Sequence, residues 1–430
     1  MTAPRLTALA AAALLAGCMN LAPRYERPAA PVAPNFPLAP QAAASAAAAA
    51  DLDWQAFVGD ARLKQLIALA LINNRDLRIA ALNIEATRAQ AALRDADRWP
   101  SVNAGLTGSR TPTAAGGINS LYTAGLQVTA YELDLFSRLR NLSDAAAAQV
   151  LASEEARKAV QISLVAAVAN TYLTLLADEA QLAVARQTLD TRQEGFRLLK
   201  LKFDNGALSE YDLAQAVTLV EGAKAAVALL QRQRMQDENA LTLLVGQPLP
   251  ADLPAPLPLA QQGLLAGLPA GLPSELLERR PDVRQAEAQL RAANANIGAA
   301  KAAFFPRITL TGSVGLASDD LGGLFDHRAW QFAPRITLPI FDAGANQANL
   351  EVSQASRDIA VAQYERSIQV AFREVADALA GRATYDEQLR AQQAQTAAEQ
   401  KRSDLAELRF RNGVASFLDV LDAQRALFQI

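Results

Sequence analysis

The 430-residue chain has very few of the side chains that most enzymes and metal proteins depend on: one cysteine, one histidine and three methionines. Clustered thiolate or imidazole ligands, imidazole-based catalysis and a channel lined with soft thioethers all lack raw material. Aromatic residues make up only 6 % of a composition that is 51 % hydrophobic, so the apolar content is alanine and leucine bulk rather than rich globular cores. A formal net charge of −3 argues against a nucleic-acid partner. No Gly-x-Ser-x-Gly is present, and Glu132 and Asp134 read as residues at a strand end rather than an acid–base pair. The chain is therefore expected not to be an enzyme, with no catalytic residue, cofactor or metal ligand assigned.

Proline is absent where its absence says most. From Ser137 to Lys202 there is no proline and one glycine, Gly195, in a run rich in Ala, Leu, Gln, Glu and Arg, which predicts a single helix about 100 Å long. The residues just before it, Tyr122 to Leu133, alternate with period two: Leu126, Val128 and Ala130 point one way, Gln127 and Thr129 the other. A strand of about ten residues with one apolar face has the form of a bilayer-spanning β-strand, and it feeds directly into a helix too long for a globular domain.

At the N-terminus Arg5 precedes an apolar run, Leu6 to Leu15, too short to span a bilayer but right for the core of a signal peptide (residues 1–17). Leu15-Ala16-Gly17-Cys18 resembles a bacterial lipobox, which makes Cys18 the lipidated first residue of the mature chain; Met19 after it, rather than Asp, favours the outer membrane. Residues 18–60 read as a Pro-rich and then Ala-rich tether, with the Ala42–Ala50 tract open to a short helix.

The remainder reads as two copies of one unit, residues 61–246 and 274–430. Asn74-Arg75-Asp76-Leu77 matches Arg280-Pro281-Asp282-Val283 at an offset of 206, and Phe203-Asp204-Asn205-Gly206 matches Phe410-Arg411-Asn412-Gly413 at 207, as do Ser209, Asp212 and Ala216 with Ser416, Asp419 and Ala423. The linker between them, 247–273, is too rich in proline for a continuous helix. Each copy reads helix, strand, loop, strand, long helix, turn, helix. The strands are expected at Ser101–Gly108, Tyr122–Leu133, Arg307–Leu316 and Trp330–Ile340, the last with Trp330, Phe332, Ile336, Leu338 and Ile340 on one face. The fold class is thus an α+β membrane protein. Four strands are too few to close a barrel, whose smallest bacterial form has about eight, so several chains must share one. Val168, Leu175, Leu182, Leu189, Phe196 and Phe203 mark a coiled-coil seam in the first long helix, whereas Arg382, Thr396 and Ser403 fall on the equivalent stripe of the second.

Several motifs resemble one family. Pro23-Arg24-Tyr25-Glu26-Arg27-Pro28, Asn73-Asn74-Arg75-Asp76-Leu77-Arg78, Ala130-Tyr131-Glu132-Leu133-Asp134-Leu135-Phe136, Leu276 to Val283, Phe304-Phe305-Pro306-Arg307-Ile308 and Leu338 to Gly344 are similar to the lipoprotein outer-membrane factors of resistance-nodulation-division efflux systems (NodT type). The resemblance implies a homotrimer with a shared twelve-strand barrel in the outer-membrane lipid, an α-helical tunnel through the periplasm, a periplasmic adaptor and an inner-membrane pump. It assigns adaptor contacts to Phe203, Gly206, Ser209, Phe410, Gly413 and Ser416, and a periplasmic gate to Leu418, Asp422 and Arg425, with Arg411 near it. Simple helix breakers and a solvated helix face are the structural alternatives at these two sites. A periplasmic coiled-coil adaptor, a structural lipoprotein or the outer-membrane component of a type I secretion system are the alternative functions. After Gly413 the chain runs 17 residues to Ile430, against 40 from Gly206 to Gly246, so a truncated last helix and a leaky assembly are expected.

Overall fold

The computed structural model describes residues 19–37, 53–114, 116–263 and 273–430. The signal peptide, Cys18 and the Ala42–Ala50 tract lie outside them. The helices are α1 (Ala61–Asn73), α2 (Arg75–Ala96), α3 (Arg138–Asp204), α4 (Glu210–Val245), α5 (Pro281–Ala302), α6 (Ala345–Arg411) and α7 (Phe417–Gln429), with shorter turns of helix at Trp54–Phe57 and Pro273–Arg279. The strands are β1 (Val102–Pro112), β2 (Ile118–Leu133), β3 (Arg307–Ser318) and β4 (Arg328–Thr337). The succession helix, two strands, long helix, turn, helix therefore occurs twice. The long helices α3 and α6 each contain 67 residues, or about 100 Å of helix.

The four strands form one antiparallel sheet in the order β1-β2-β3-β4, with β1 and β4 as its edges. The pairs Ala104–Leu126, Leu126–Val314 and Val314–Trp330 line up across all four strands, as do Val102–Val128, Val128–Gly312 and Gly312–Phe332. One face is thereby apolar, and the other carries Asn103, Thr107, Gln127, Ser313, Gln331 and Arg335. Leu106, Val314, Trp330, Phe332 and Ile336 all stay exposed on the apolar face, with Trp330 at 79 %. Among the described residues nothing in the chain covers that face.

Two details of the sheet depart from the alternation in the sequence. The β2–β3 register shifts between Val128 and Tyr131, so Ala130 does not continue the face of Leu126 and Val128. Instead Ala130 takes φ +53°, its amide bonds to Thr311 Oγ1 at 3.2 Å, and Tyr131 and Leu133 resume the apolar face opposite Leu310 and Ile308. This is a β-bulge, which adds one residue to a strand and bends it. In addition, β4 stops at Thr337, short of Leu338 and Ile340, because Pro339 has no N–H to give the ladder. The strands also extend further into their turns than expected, leaving 113–117 and 319–327 as the connections.

The described residues form two compact units that cut across the sequence repeats. Of the described residues, the first holds those within 19–32, 79–159 and 276–370, including the sheet; the second holds those within 33–78, 160–275 and 371–430. The core of the second unit packs Leu63, Leu66, Ile67 and Ala70 of α1 on Leu164, Val168, Tyr172 and Leu175 of α3 and on Leu241 and Val245 of α4. Asp60 caps α1 and also accepts from the Tyr172 hydroxyl at 2.8 Å and the Leu257 amide at 3.2 Å. Burial alone would raise its pKa, but these bonds to the charged form outweigh it and hold the carboxyl below its ordinary value. The expected seam is buried at Val168, Leu175 and Leu182; on the second helix Arg382 and Thr396 are exposed, whereas Ser403 is buried, contrary to the wetter stripe expected there.

Candidate channel wall and gate

The strand-to-helix junction is built around Glu132. It lies next to the end of β2, and its side chain is only 8 % exposed. Arg138, in the first turn of α3, grips both of its oxygens through two bonds of 2.8 Å, and Arg307, the first residue of β3, shares Oε2 at 2.6 Å. Asp134 accepts from the amides of Leu139 and Arg140, satisfying the free N–H groups at the start of α3. Asp342 does the same for α6 through Gly344 and Asn346. The strand-end acids are therefore structural, as their position in the sequence suggested.

Residues 19–37 run as an extended strap without helix or strand. The Met19 amide bonds to the Leu135 carbonyl at 3.1 Å, which places the residue after Cys18 beside the end of β2. Further along, Glu287 of α5 receives the Tyr25 hydroxyl at 3.0 Å and the Arg27 guanidinium at 3.0 and 3.1 Å, while Arg291 lies 5.1 Å from the Tyr25 ring centre. Burial together with the Glu287 charge pushes the Tyr25 hydroxyl up to about 12. Gly298 lets the strap come close: a Cβ there would lie 2.7 Å from the Ala22 nitrogen.

In the second unit the two turns assigned to adaptor contact share one design. Gly206 and Gly413 have φ of +72° and +73°, the left-handed region that favours glycine, and open space where a side chain would point. Each turn is closed by a serine cap, Ser209 to the Asp212 amide and Ser416 to the Asp419 amide. Ala216 and Ala423, one helical turn further on, are buried. These roles explain why the same residues recur at one spacing in the sequence. Phe203 and Phe410 are half-buried; Phe410 packs on Phe417 at 5.3 Å and lies under the Lys202 ammonium at 5.0 Å.

Helix α7 divides into two faces. Val420, Leu421 and Ala423 are buried, while Leu418 (60 % exposed), Asp422 and Arg425 form an exposed stripe spaced by four and three residues. Two of the residues assigned to a gate have ion-pair partners: Asp422 takes a 2.6 Å bond from Arg402 of α6, which no sequence pattern reveals, and Arg411 pairs with Glu407. Arg192 of α3 also faces α7, and no sequence pattern marks it. It donates to the Leu219 carbonyl at 3.1 Å and stacks over Phe428 at 5.0 Å, and burial and then Arg425 push its pKa down. Arg402 and Arg192 lie far in sequence from their α7 partners, and no motif marks them.

A sheet with an apolar outer face, a polar inner face and two unpaired edges, joined to two helices of about 100 Å, defines a subunit of an oligomeric outer-membrane channel that continues as a helical tunnel. Residues 66–247 and 272–430 match the family "Outer membrane efflux protein". The toluene efflux pump outer membrane protein TtgC of Pseudomonas putida is 48 % identical over 440 residues, covering 100 % of this chain and 90 % of that protein. OprJ of Pseudomonas aeruginosa is 47 % identical over 425 residues, with 97 % and 88 % covered. The open-state MtrE outer membrane channel of Neisseria gonorrhoeae superposes with a TM-score of 0.85 at 42 % identity, covering 95 % of this chain and 92 % of that one. The chain belongs to the outer membrane efflux protein family. It is the outer-membrane channel of an efflux pump, a trimer whose copies each give four strands to one barrel, and it works with a periplasmic adaptor and an inner-membrane pump.

Proposed function

We propose that the chain is a passive exit duct closed at the α6–α7 turn by Leu418, Asp422 and Arg425, with Arg411 beside them, and opened when an adaptor engages the turns at Phe203–Ser209 and Phe410–Ser416. The observation that carries this reading is the exposed stripe of α7 lying directly after the open Gly413 turn. In a trimer three copies of that stripe face one axis, stacking an apolar ring on a charged one. Each half of the chain, 61–246 and 274–430, supplies one hairpin to the tunnel. No catalysis is assigned to it, since the chemistry of a duct is selection by size and charge. Relatives are named for toluene, solvent and antibiotic efflux, and the cargo is read here as small amphiphilic toxic compounds.

The docking part is tested by cysteine cross-linking. Ser209→Cys and Ser416→Cys are expected to capture the adaptor in cells, and Leu106→Cys, on the lipid face of β1, is not. Capture at Leu106 alone, or at none of the three, would remove the turns from the adaptor interface.

We also propose that Cys18 carries the lipid. The pinning of Met19 beside the end of β2 supports it, because the residue that follows Cys18 in sequence is held where the strand meets the long helix. Cys18→Ser is expected to leave a slower-migrating precursor that takes up no labelled palmitate. Uptake of label by the variant would refute the assignment; loss of label with partial export is expected, since the barrel itself also holds the protein in the membrane.

A further inference from the structure

The lipid-facing side of the sheet ends in arginine. In the cross-strand rows, Leu316 pairs with Arg328, and two rows nearer the β1–β2 turn Ser120 pairs with Arg110. Both arginines share the apolar face with Leu106, Leu126, Val314 and Trp330, at the end of the sheet away from Glu132 and the helices. Both are exposed, and among the described residues no carboxylate lies within ion-pair distance of either. Beside Arg328 an open cleft of about 480 Å³ is lined by Val314, Leu316, Trp330, Gly315 and Ala329. An unpaired guanidinium at the head of an apolar cleft is costly in hydrocarbon and favourable at a layer of anionic headgroups.

The two arginines lie on the two edge strands of the sheet. β1 and β4 are the edge strands, so closing three sheets into one barrel sets β4 of each copy beside β1 of the next. Every seam then presents Arg328 from one side and Arg110 from the other, on the outward face.

We propose that this end of each seam is a binding site for a phosphate-bearing lipid of the outer leaflet, with an acyl chain in the cleft against Trp330, Val314 and Leu316 and phosphate held by Arg328 and Arg110. Guanidinium forks suit phosphate oxygens, and an aromatic ring one row deeper is the usual companion at a lipid–water boundary. The site rests on the outward face of the sheet meeting lipid, which the outer-membrane assignment supplies. It adds a chemical preference to what would otherwise be a plain greasy wall.

The test is native mass spectrometry of the purified trimer titrated with diphosphorylated lipid A and, in parallel, with the same lipid stripped of its phosphates. The unmodified trimer is expected to bind the phosphorylated form, with saturation at three per trimer, and the stripped form roughly 30-fold more weakly, from about 1 kcal/mol for each of two arginines. Arg110→Gln with Arg328→Gln is expected to abolish that preference, and Arg328→Lys to keep most of it. Arg335→Gln, on the opposite face of β4, is expected to change nothing. Equal binding of the two lipids by the unmodified trimer overturns the proposal, and that comparison stands even if the double variant fails to assemble. Failure of either lipid to bind overturns it differently, by removing the face itself from contact with lipid.

Discussion

Planar bilayers holding Leu418→Ala with Asp422→Ala are expected to carry severalfold more current than bilayers holding the unmodified trimer, and cells making the variant to become sensitive to antibiotics too large for the closed tunnel. The two residues contribute differently. Leu418 is an apolar side chain on an exposed helix face; with the proposed gate, its removal is expected to widen the ring and raise the current through each channel. Asp422 acts through Arg402: their 2.6 Å ion pair ties α7 to α6, yet both side chains are largely open to solvent, at 67 % and 46 %. Such a pair is worth about 0.5 kcal/mol. With opening proposed to break all three, the closed state is expected to be favoured by about 1.5 kcal/mol, or roughly tenfold. Arg402→Ala alone should accordingly raise the fraction of time open by about that factor and leave the open current unchanged. Unaltered current in the double variant would return Leu418 and Asp422 to the status of a solvated helix face.

The second large effect is expected at the junction. Glu132→Gln keeps the shape of the side chain but removes the charge between Arg138 and Arg307, leaving two guanidiniums facing a neutral amide. Taking one partner from a fully buried ion pair costs about 3 kcal/mol or more; here Arg307 is 58 % exposed and water compensates part of its charge, so the cost is on the order of 1–2 kcal/mol per copy. In the trimer that cost recurs in every copy. The expected result is loss of the heat-resistant trimer band in detergent gels, with α3 intact by circular dichroism. A variant that stays trimeric at the temperature tolerated by the unmodified protein would show that solvent or another copy already balances these charges.

Much of this architecture was legible because it is periodic. The strands announced themselves by alternation, α3 by its lack of proline, and the turns by Gly206 and Gly413 together with the serine caps that follow them. What stayed hidden depends on single contacts. Ala130 at φ +53° carries no compositional mark, since alanine is not a residue that signals a left-handed bulge. The end of β4 is legible in principle, for Pro339 stands within the expected strand, but the apolar alternation continues through it to Ile340 and outweighs a single missing N–H. The stripe on α7 assigned to the gate was marked by the resemblance to the family, whereas Arg402 sits 20 residues before its partner and Arg192 on another helix altogether, with no motif around either. The seating of the strap was equally hidden, because 262 residues separate Tyr25 from Glu287.

That separation has a bearing on how the chain reaches its native state. Each compact unit is assembled from three stretches of sequence, and neither is complete until part of the second repeat has arrived. Docking of the strap requires α5, and the contact of α3 with Phe428 requires α7. Contacts this remote cost loop-closure entropy before they return any stability, which slows folding. A chain crossing the inner membrane N-terminus first must therefore wait in the periplasm with its apolar strand faces and sheet edges exposed, open to aggregation. The yield of assembled channel is consequently set by whatever shields the waiting chain as much as by the stability of the finished trimer.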